Sequence, residues 1–444
     1  MPMKALPLVI AILLVASPAL GAVGPDAVSD QQSVFDTASP AQAQAQQVPN
    51  ETIRVLDIPE SNLVQATVES QHVDLGPSLD LAALRAGGQI QTGTSIERIE
   101  SASDDSIRQQ LIIDELSRIE QRAIALQSTQ RTVIERFNQD QITARELLVE
   151  LARIDAEARS LNERRVELRT LASNTPDFSI DSGRLAGLER ELDTFTGPVR
   201  KHAVAVMTGG AEPTRFSVRT SETGVVLSVV ADGKYIREAY RSDLRDRDQS
   251  TVMYEEALGI VADNYPTVYS SRSAQNGTNV ISAGNSHRVR INYNGGQLSA
   301  YVDAGSGEVF KESQARPLRT VTSGTPKTEV KDGLSLTAYQ TYPGGPLRIQ
   351  LNETETDDPV DANVTIGLEA SQESTLLGHT GTDGTIWTVS PSGPFTITVI
   401  KGNSAVVLTS SPTPIPGLET NTTDQSNSTP DEQLTATPEG PPGV

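Results

Sequence analysis

Residues 104–172 read DDSIRQQLIIDELSRIEQRAIALQSTQRTVIERFNQDQITARELLVELARIDAEARSLNERRVELRTLA, the strongest structural signal in the chain. Ile112, Leu116, Ile119, Ala123, Leu126, Gln130, Val133 and Phe137 follow one another at alternating steps of four and three. Leu147, Leu151, Ile154, Ala158, Leu161, Arg165, Leu168 and Ala172 repeat those steps. This period puts apolar side chains on one seam of a helix. Two long helices are therefore expected, the first about 50 Å long at ~1.5 Å per residue. Thr143 and Glu146 form a capping box that starts the second helix at Thr143. The short connection 138–142 implies a long antiparallel helical hairpin. In it Phe137 faces Leu147, while Leu126 faces Ala158 and Ala123 faces Leu161, large against small. Arg165 and Gln130 interrupt the seam. Arg165 is expected to snorkel outward along its stem; the alternative is that the two residues set the register or meet a third helix, such as the amphipathic segment 185–195.

Beyond the hairpin, residues 178–316 contain a repeat at a constant offset of 71 residues. Val218-Arg219 matches Val289-Arg290, Gly224 matches Gly295, Leu227-Ser228 matches Leu298-Ser299, and Asp232 matches Asp303. Both copies predict strand, glycine turn, strand, Asp-centred turn and strand. A helical stretch precedes each copy, 185–195 before the first and 252–265 before the second.

The second copy, residues 249–312, resembles the PepSY domain in its helix, the strands 289–293 and 298–302, and the run Tyr301-Val302-Asp303-Ala304-Gly305-Ser306-Gly307-Glu308-Val309. The resemblance implies an α+β module of peptidase propeptides and envelope proteins that binds or inhibits and carries no catalytic residues. The first copy departs from it, with Asp232-Gly233-Lys234-Tyr235-Ile236 at the corresponding turn.

Residues 317–333 read as a polar linker. Period-2 runs at 334–338, 347–351, 362–368, 386–389, 395–400 and 405–409 then predict a C-terminal β-sandwich over 334–411. Asp361-Ala362-Asn363-Val364-Thr365, the turn Thr380-Gly381-Thr382-Asp383-Gly384-Thr385 and Pro391-Ser392-Gly393-Pro394-Phe395-Thr396-Ile397 resemble the carboxypeptidase-regulatory, transthyretin-like sandwich. That family implies an accessory module of extracellular proteins. The fold class expected is thus α plus α+β plus β in several domains: a region 51–177 holding the hairpin 104–172, tandem PepSY-like units over 178–316, and the sandwich.

At the N-terminus, Lys4 precedes an apolar run from Ala5 to Leu20, and Ala19 and Gly21 offer small residues for cleavage before Ala22. Residues 1–21 read as a Sec-type signal peptide, which places the chain outside the cell or at its surface. Residues 22–50 read as a disordered linker and the Pro/Thr-rich stretch 412–444 as a tail. The chain has 57 acidic and 36 basic residues, a net charge of −21, and only seven of the basic residues are Lys. Such a surface suits concentrated salt, where the Debye length is only about 3 Å at 1 M and carboxylate repulsion is screened. Nucleic-acid binding is disfavoured because no basic stripe offsets the acidity. Acidity, signal, helical half and tail together resemble exported haloarchaeal proteins.

The chain has no Cys, which excludes disulfides and thiolate chemistry. His72, His202, His287 and His379 form no ligand pair in sequence. The acidic loop Glu353, Glu355, Asp357, Asp358 and Asp361 lacks the calcium-loop pattern and reads as solvated. Asp303 and Asp383 read as turn residues bonding their own backbone. Gly88–Ser95 is glycine-rich but has no Lys for a phosphate loop. No catalytic residue, cofactor or metal site is expected. Glycosylation candidates are Asn421 and Asn427 first, then Asn50, Asn276 and Asn352, with Asn363 weakest because it falls in a predicted strand. The expectation is a non-catalytic surface protein of a halophile that binds protein, peptide or glycan and has no membrane span after signal cleavage. The hairpin would be a spacer or oligomerisation surface. The alternative is an inhibitor or foldase-like partner of an exported peptidase.

Overall fold

The computed structural model describes residues 53–275, 277–321, 324–369 and 374–418. The expected signal peptide, linker 22–50 and tail beyond residue 418 lie outside the described residues. The strand β1 (Val64–Gln71) leads into α1 (Leu75–Glu100), α2 (Asp105–Asn138), α3 (Ala144–Ser173), α4 (Ser182–Asp193) and α5 (Pro198–Met207). Each helix start has a local cause. Asp74, Asp104 and Asp181 accept a backbone N–H from the first turn of α1, α2 and α4, Thr143 and Glu146 close the capping box of α3, and Pro198 opens α5.

Helices α2 and α3 pack antiparallel. Arg122 meets Glu157 at 3.0 Å and Glu115 meets Arg164 at 3.3 Å, pairs whose numbering runs in opposite directions. Every seam residue named above is buried. α3 is also buried on a second face, through Leu148, Ala152, Asp155 and Arg164. Arg165 does not snorkel: its side chain is buried and its Nη2 donates to Glu189 of α4 at 2.9 Å. Gln130 accepts from Arg200 of α5 at 2.8 Å. The polar seam positions thus face a third and a fourth helix.

The strands β2 (Thr214–Thr220), β3 (Gly224–Ala231) and β4 (Lys234–Arg241) form a first meander. After α6 (Tyr254–Asn264) and α7 (Pro266–Ser270) come β5 (Thr278–Ala283), β6 (Ser286–Tyr293), β7 (Gly296–Asp303) and β8 (Val309–Pro317). All join one sheet in the order β1-β2-β3-β4-β8-β7-β6-β5, with β4 and β8 antiparallel at the junction of the repeats. The repeats expose opposite sheet faces to their helices. Leu227 pairs with Glu238, Glu238 with Ser313 and Ser313 with Ser299, so Leu227 and Leu298, matched in sequence, point to opposite sides. α5 covers the first side, where Glu238 accepts the Val199 N–H at 2.9 Å; Tyr265, between α6 and α7, reaches the second side to donate to Glu312 at 2.7 Å.

One apolar core runs from Ile53 through Leu116 and Val199 to Phe310. The expected division between 51–177 and 178–316 is therefore no break in packing, because α3 packs on α1 and α5 and α5 in turn covers the sheet. Nor is the hairpin seam a free surface.

The sandwich has its own core. Following the 3₁₀ turn Leu318–Thr320, β9 (Thr325–Lys331), β10 (Leu334–Gln340), β11 (Pro346–Glu353), β12 (Asn363–Leu368), β13 (Ser374–His379), β14 (Thr385–Val389), β15 (Phe395–Lys401) and β16 (Ser404–Ser410) form sheets β14-β11-β10-β9 and β13-β12-β15-β16. The linker reading of 317–333 is corrected by β9, whose seven residues are all exposed, so an edge strand carried no apolar alternation to detect. The tail reading is corrected over 412–418: Val55 N–H donates to Pro416 O at 2.8 Å and Leu418 N–H to Val55 O at 3.2 Å. Among the described residues no helix is long and apolar enough to cross a membrane.

Candidate functional site

The sheet and the sandwich meet where β14 lies against β2 and β3, and one backbone carbonyl anchors the contact. Gly344 O accepts from Ser228 Oγ at 2.6 Å and from Tyr235 Oη at 3.0 Å. Beside this contact a cleft of about 350 Å³ opens between the ends of β1, β2 and the β3–β4 turn on one side and β14 on the other. Its walls include Glu69, His202, Glu212, Arg215, Asp232 and Trp387. An adjoining cavity of about 620 Å³ shares His202, Glu212 and Asp232 and adds Lys201. Trp387, half-buried, is the single Trp of the chain.

Arg215 is the unusual member. Its side chain is 10% exposed, and Nη2 lies 3.3 Å from Glu69. Among the described residues, its buried Nε and Nη1 have no hydrogen-bond partner. Burial lowers its affinity for a proton, against the pull of Glu69. A guanidinium rarely leaves donors unmatched in the interior, so its free edge is disposed to meet an oxygen. Burial likewise lowers the His202 pKa, opposed by Asp232, which favours the neutral ring. Thr214 Oγ donates to Glu212 O, so its lone pair receives His202 Nε2–H at 3.2 Å. The ring is fixed further against Phe216, 5.9 Å between centroids.

The buried charges nearby are structural fasteners. Glu312 accepts from Leu56 N–H at 2.6 Å, Tyr265 Oη at 2.7 Å and Arg237 Nη1 at 3.0 Å. Burial pushes the Glu312 carboxyl up, and the Arg237 charge opposes the shift. On the other face Lys311 Nζ donates to the carbonyls of Asp193 and Thr196. Burial, then the nearby Arg200 charge, pushes it down to about 8. Glu115 is held below the ordinary carboxyl range: burial acts upward, but hydrogen bonds from Arg118 and Ser95 and the charge of Arg164 outweigh it.

The residues singled out in the sequence scatter. His287 accepts from Ser282 Oγ at 2.6 Å and donates to Val252 O at 3.0 Å, inside the sheet. His72 bonds Ser70, and His379 lies 3.7 Å from Asp361 on the surface. Only His202 enters the cleft. Asp303 takes the N–H groups of Asp246, Gly305 and Ser306, and Asp383 that of Thr385. In the acidic loop, Asp361 accepts from Gly381 N–H and Glu353 from Thr356 Oγ. Among the described residues no group of three His, Asp or Glu is placed to hold a metal. Asn50, Asn276, Asn421 and Asn427 lie outside the described residues. Asn352 is half-buried and its amide donates to Asp357 at 2.7 Å, whereas Asn363 is exposed. Arg215, Glu69 and Trp387 went unread because they come from three remote segments; the lone Trp387 was the one signal available.

Three family models match parts of the chain. Residues 3–212 match a domain of unknown function (DUF7096), and residues 216–322 a family of unknown function (DUF7094). Residues 249–312, read from sequence as PepSY-like, fall inside the second match, and no PepSY model matches there. The boundary between the two crosses the sheet, since β1 pairs with β2 from Val64–Thr220 onward. A search of curated proteins finds no relative that matches. Residues 325–408 match an archaeal fibronectin-III type-like domain, the likeness that replaces the transthyretin-like one for the C-terminal β-sandwich.

Proposed function

We propose that this chain is a non-catalytic extracellular or cell-surface binding protein of a halophile. The cleft between sheet and sandwich carries this reading, because the incompletely matched Arg215 and the half-buried Trp387 line one concave space there. The helical layer and the eight-stranded sheet supply a stiff base for it, and the buried ion pairs serve that base. The acidic composition and the signal-like N-terminus support an exported, salt-adapted setting. The test is capture from native cell envelope at multimolar salt with the mature chain as bait. Specific retention of an envelope component is the expected result, and retention no greater than for an acidic control protein would sink the reading.

A second reading, regulation of an exported peptidase through the PepSY-like unit, is favoured by the helix-and-meander form of residues 254–317. Its core is shared with α1–α5, so the mature chain is the reagent to use. Slowing of a secreted peptidase from the same source by micromolar mature chain in high salt is expected on this reading; unchanged cleavage rates count against it.

A further inference from the structure

We propose that the cleft is a saccharide site, in which a pyranose ring lies on Trp387 and its hydroxyls bridge Arg215 to the carboxylates of Glu69, Glu212 and Asp232. This rests on the binding reading above and names its ligand class. Three observations carry it. First, donor and acceptor groups stand side by side in the cleft wall: Arg215, nine-tenths buried there, keeps Nε and Nη1 without partners among the described residues, and three carboxylates line the same cleft. A sugar hydroxyl is both donor and acceptor and satisfies both kinds of wall at once, whereas a simple anion would be repelled by the carboxylates. Second, the single Trp of a chain with only 4% aromatic residues stands half-buried at this cleft, where a rigid flat apolar face adjoins the charged walls. Third, the adjoining cavity shares His202, Glu212 and Asp232, so the site continues past one ring and suits a chain of sugars. In concentrated salt the carboxylates are screened from one another while short hydrogen bonds persist.

The site reports on itself, since Trp387 supplies all the indole fluorescence. The mature chain in multimolar NaCl is titrated with maltotetraose, with a mannuronate tetrasaccharide and with sodium acetate. A saturable change with maltotetraose and none with acetate is expected. If the neutral sugar binds, hydroxyls carry recognition; binding of the uronate alone would put a carboxylate on Arg215 and overturn the hydroxyl bridge. Arg215→Met should weaken binding at least about tenfold, the effect of losing one charge-assisted hydrogen-bonded pair. Glu212→Gln, at an exposed position, should weaken it less and guards against misfolding of the first variant. Trp387→Ala, followed by calorimetry, should also lose binding. No change with either tetrasaccharide up to about 10 mM, or an equal change with acetate, overturns the proposal. So does envelope capture that persists undiminished in the Arg215 and Trp387 variants, an outcome that leaves the broader binding reading intact.

Discussion

Arg237 and Glu312 meet at 3.0 Å beside the strand pair that joins the two repeats, and between them they hold both backbone polar groups of one residue, Leu56. Glu312 accepts the Leu56 N–H at 2.6 Å and Arg237 donates to the Leu56 carbonyl at 2.6 Å. Both side chains are essentially excluded from solvent. The N-terminal segment is thereby clamped onto the sheet face opposite α5, where no strand partner satisfies it except at Val55.

Glu312→Ala should therefore destabilise the chain by about 3–5 kcal/mol, because it strips a buried guanidinium of its close partner, leaving it Asp57 at 3.7 Å, and leaves the Leu56 N–H without an acceptor. Glu312→Gln should cost less. A double change of Arg237→Met with Glu312→Leu should recover much of the loss, since neither charge then remains buried. Urea unfolding of the three variants in high salt checks this. Equal losses for single and double variants would mean that the clamp on Leu56, and not the charge pair, holds the stability.

Lys311 predicts a rise in stability with pH. Its folded value is about 8 against an ordinary 10.5, so between those values the folded chain has released a proton that the unfolded chain retains. Stability then increases with pH across that window, by at most about 1.4 kcal/mol per unit, and the increment is absent below it. Burial raises Tyr235 and Tyr265, which acts the other way once free tyrosines ionise. The informative quantity is thus the difference between the chain and Lys311→Met from pH 8 to 10. A difference that does not change over that range would refute the assignment.

Gly344 governs how the sandwich sits on the sheet. Its φ is +73°, and a Cβ there would lie 2.8 Å from Ser217 Oγ and 3.1 Å from Ser228 Oγ. Gly344→Ala combines a left-handed penalty with a push against the two serines that flank the docking contact, at a cost of about 1–2 kcal/mol. The expected result is greater acrylamide quenching of Trp387 fluorescence, with little change in far-ultraviolet circular dichroism. Unaltered quenching would show that the sandwich is held elsewhere.

The parts of this fold that the sequence disclosed are those whose period is local. The seam from Ile112 to Phe137, the capping box at Thr143 and six sandwich strands all obey a spacing that needs no partner to be seen. α1 did not declare itself, because Leu75, Leu79 and Ile90 face outward and its glycines imitate a loop. Gly88 instead permits close approach to α3, where a Cβ would fall 2.2 Å from Ser160 Oγ. The repeat was visible, but which sheet face each copy buries was not, since Leu227 and Leu298 hold the same place in the repeat and point to opposite sides of the sheet. The cleft was invisible for a stronger reason: Glu69, Arg215 and Trp387 meet only after the sandwich has docked.

Salt dependence follows from where the charges lie. Among the described residues, nine buried Arg and Lys side chains stand against five buried Asp and Glu. The accessible shell is therefore more acidic than the net charge of −21 conveys, and part of the Arg excess serves interior pairs and not the surface. Repulsion within that shell is screened at molar ionic strength and extends over about 10 Å at 0.1 M. Transfer from multimolar to 0.1 M NaCl should lower the melting temperature by several degrees or more, as roughly 2–4 °C corresponds to each kcal/mol in a domain of this size. The interior pairs are shielded from the solvent's ions, so the penalty of Glu312→Ala should be the same at both salt concentrations. A melting temperature indifferent to salt would remove the argument for a halophilic surface, and a Glu312 penalty that grew on dilution would place that pair within reach of water.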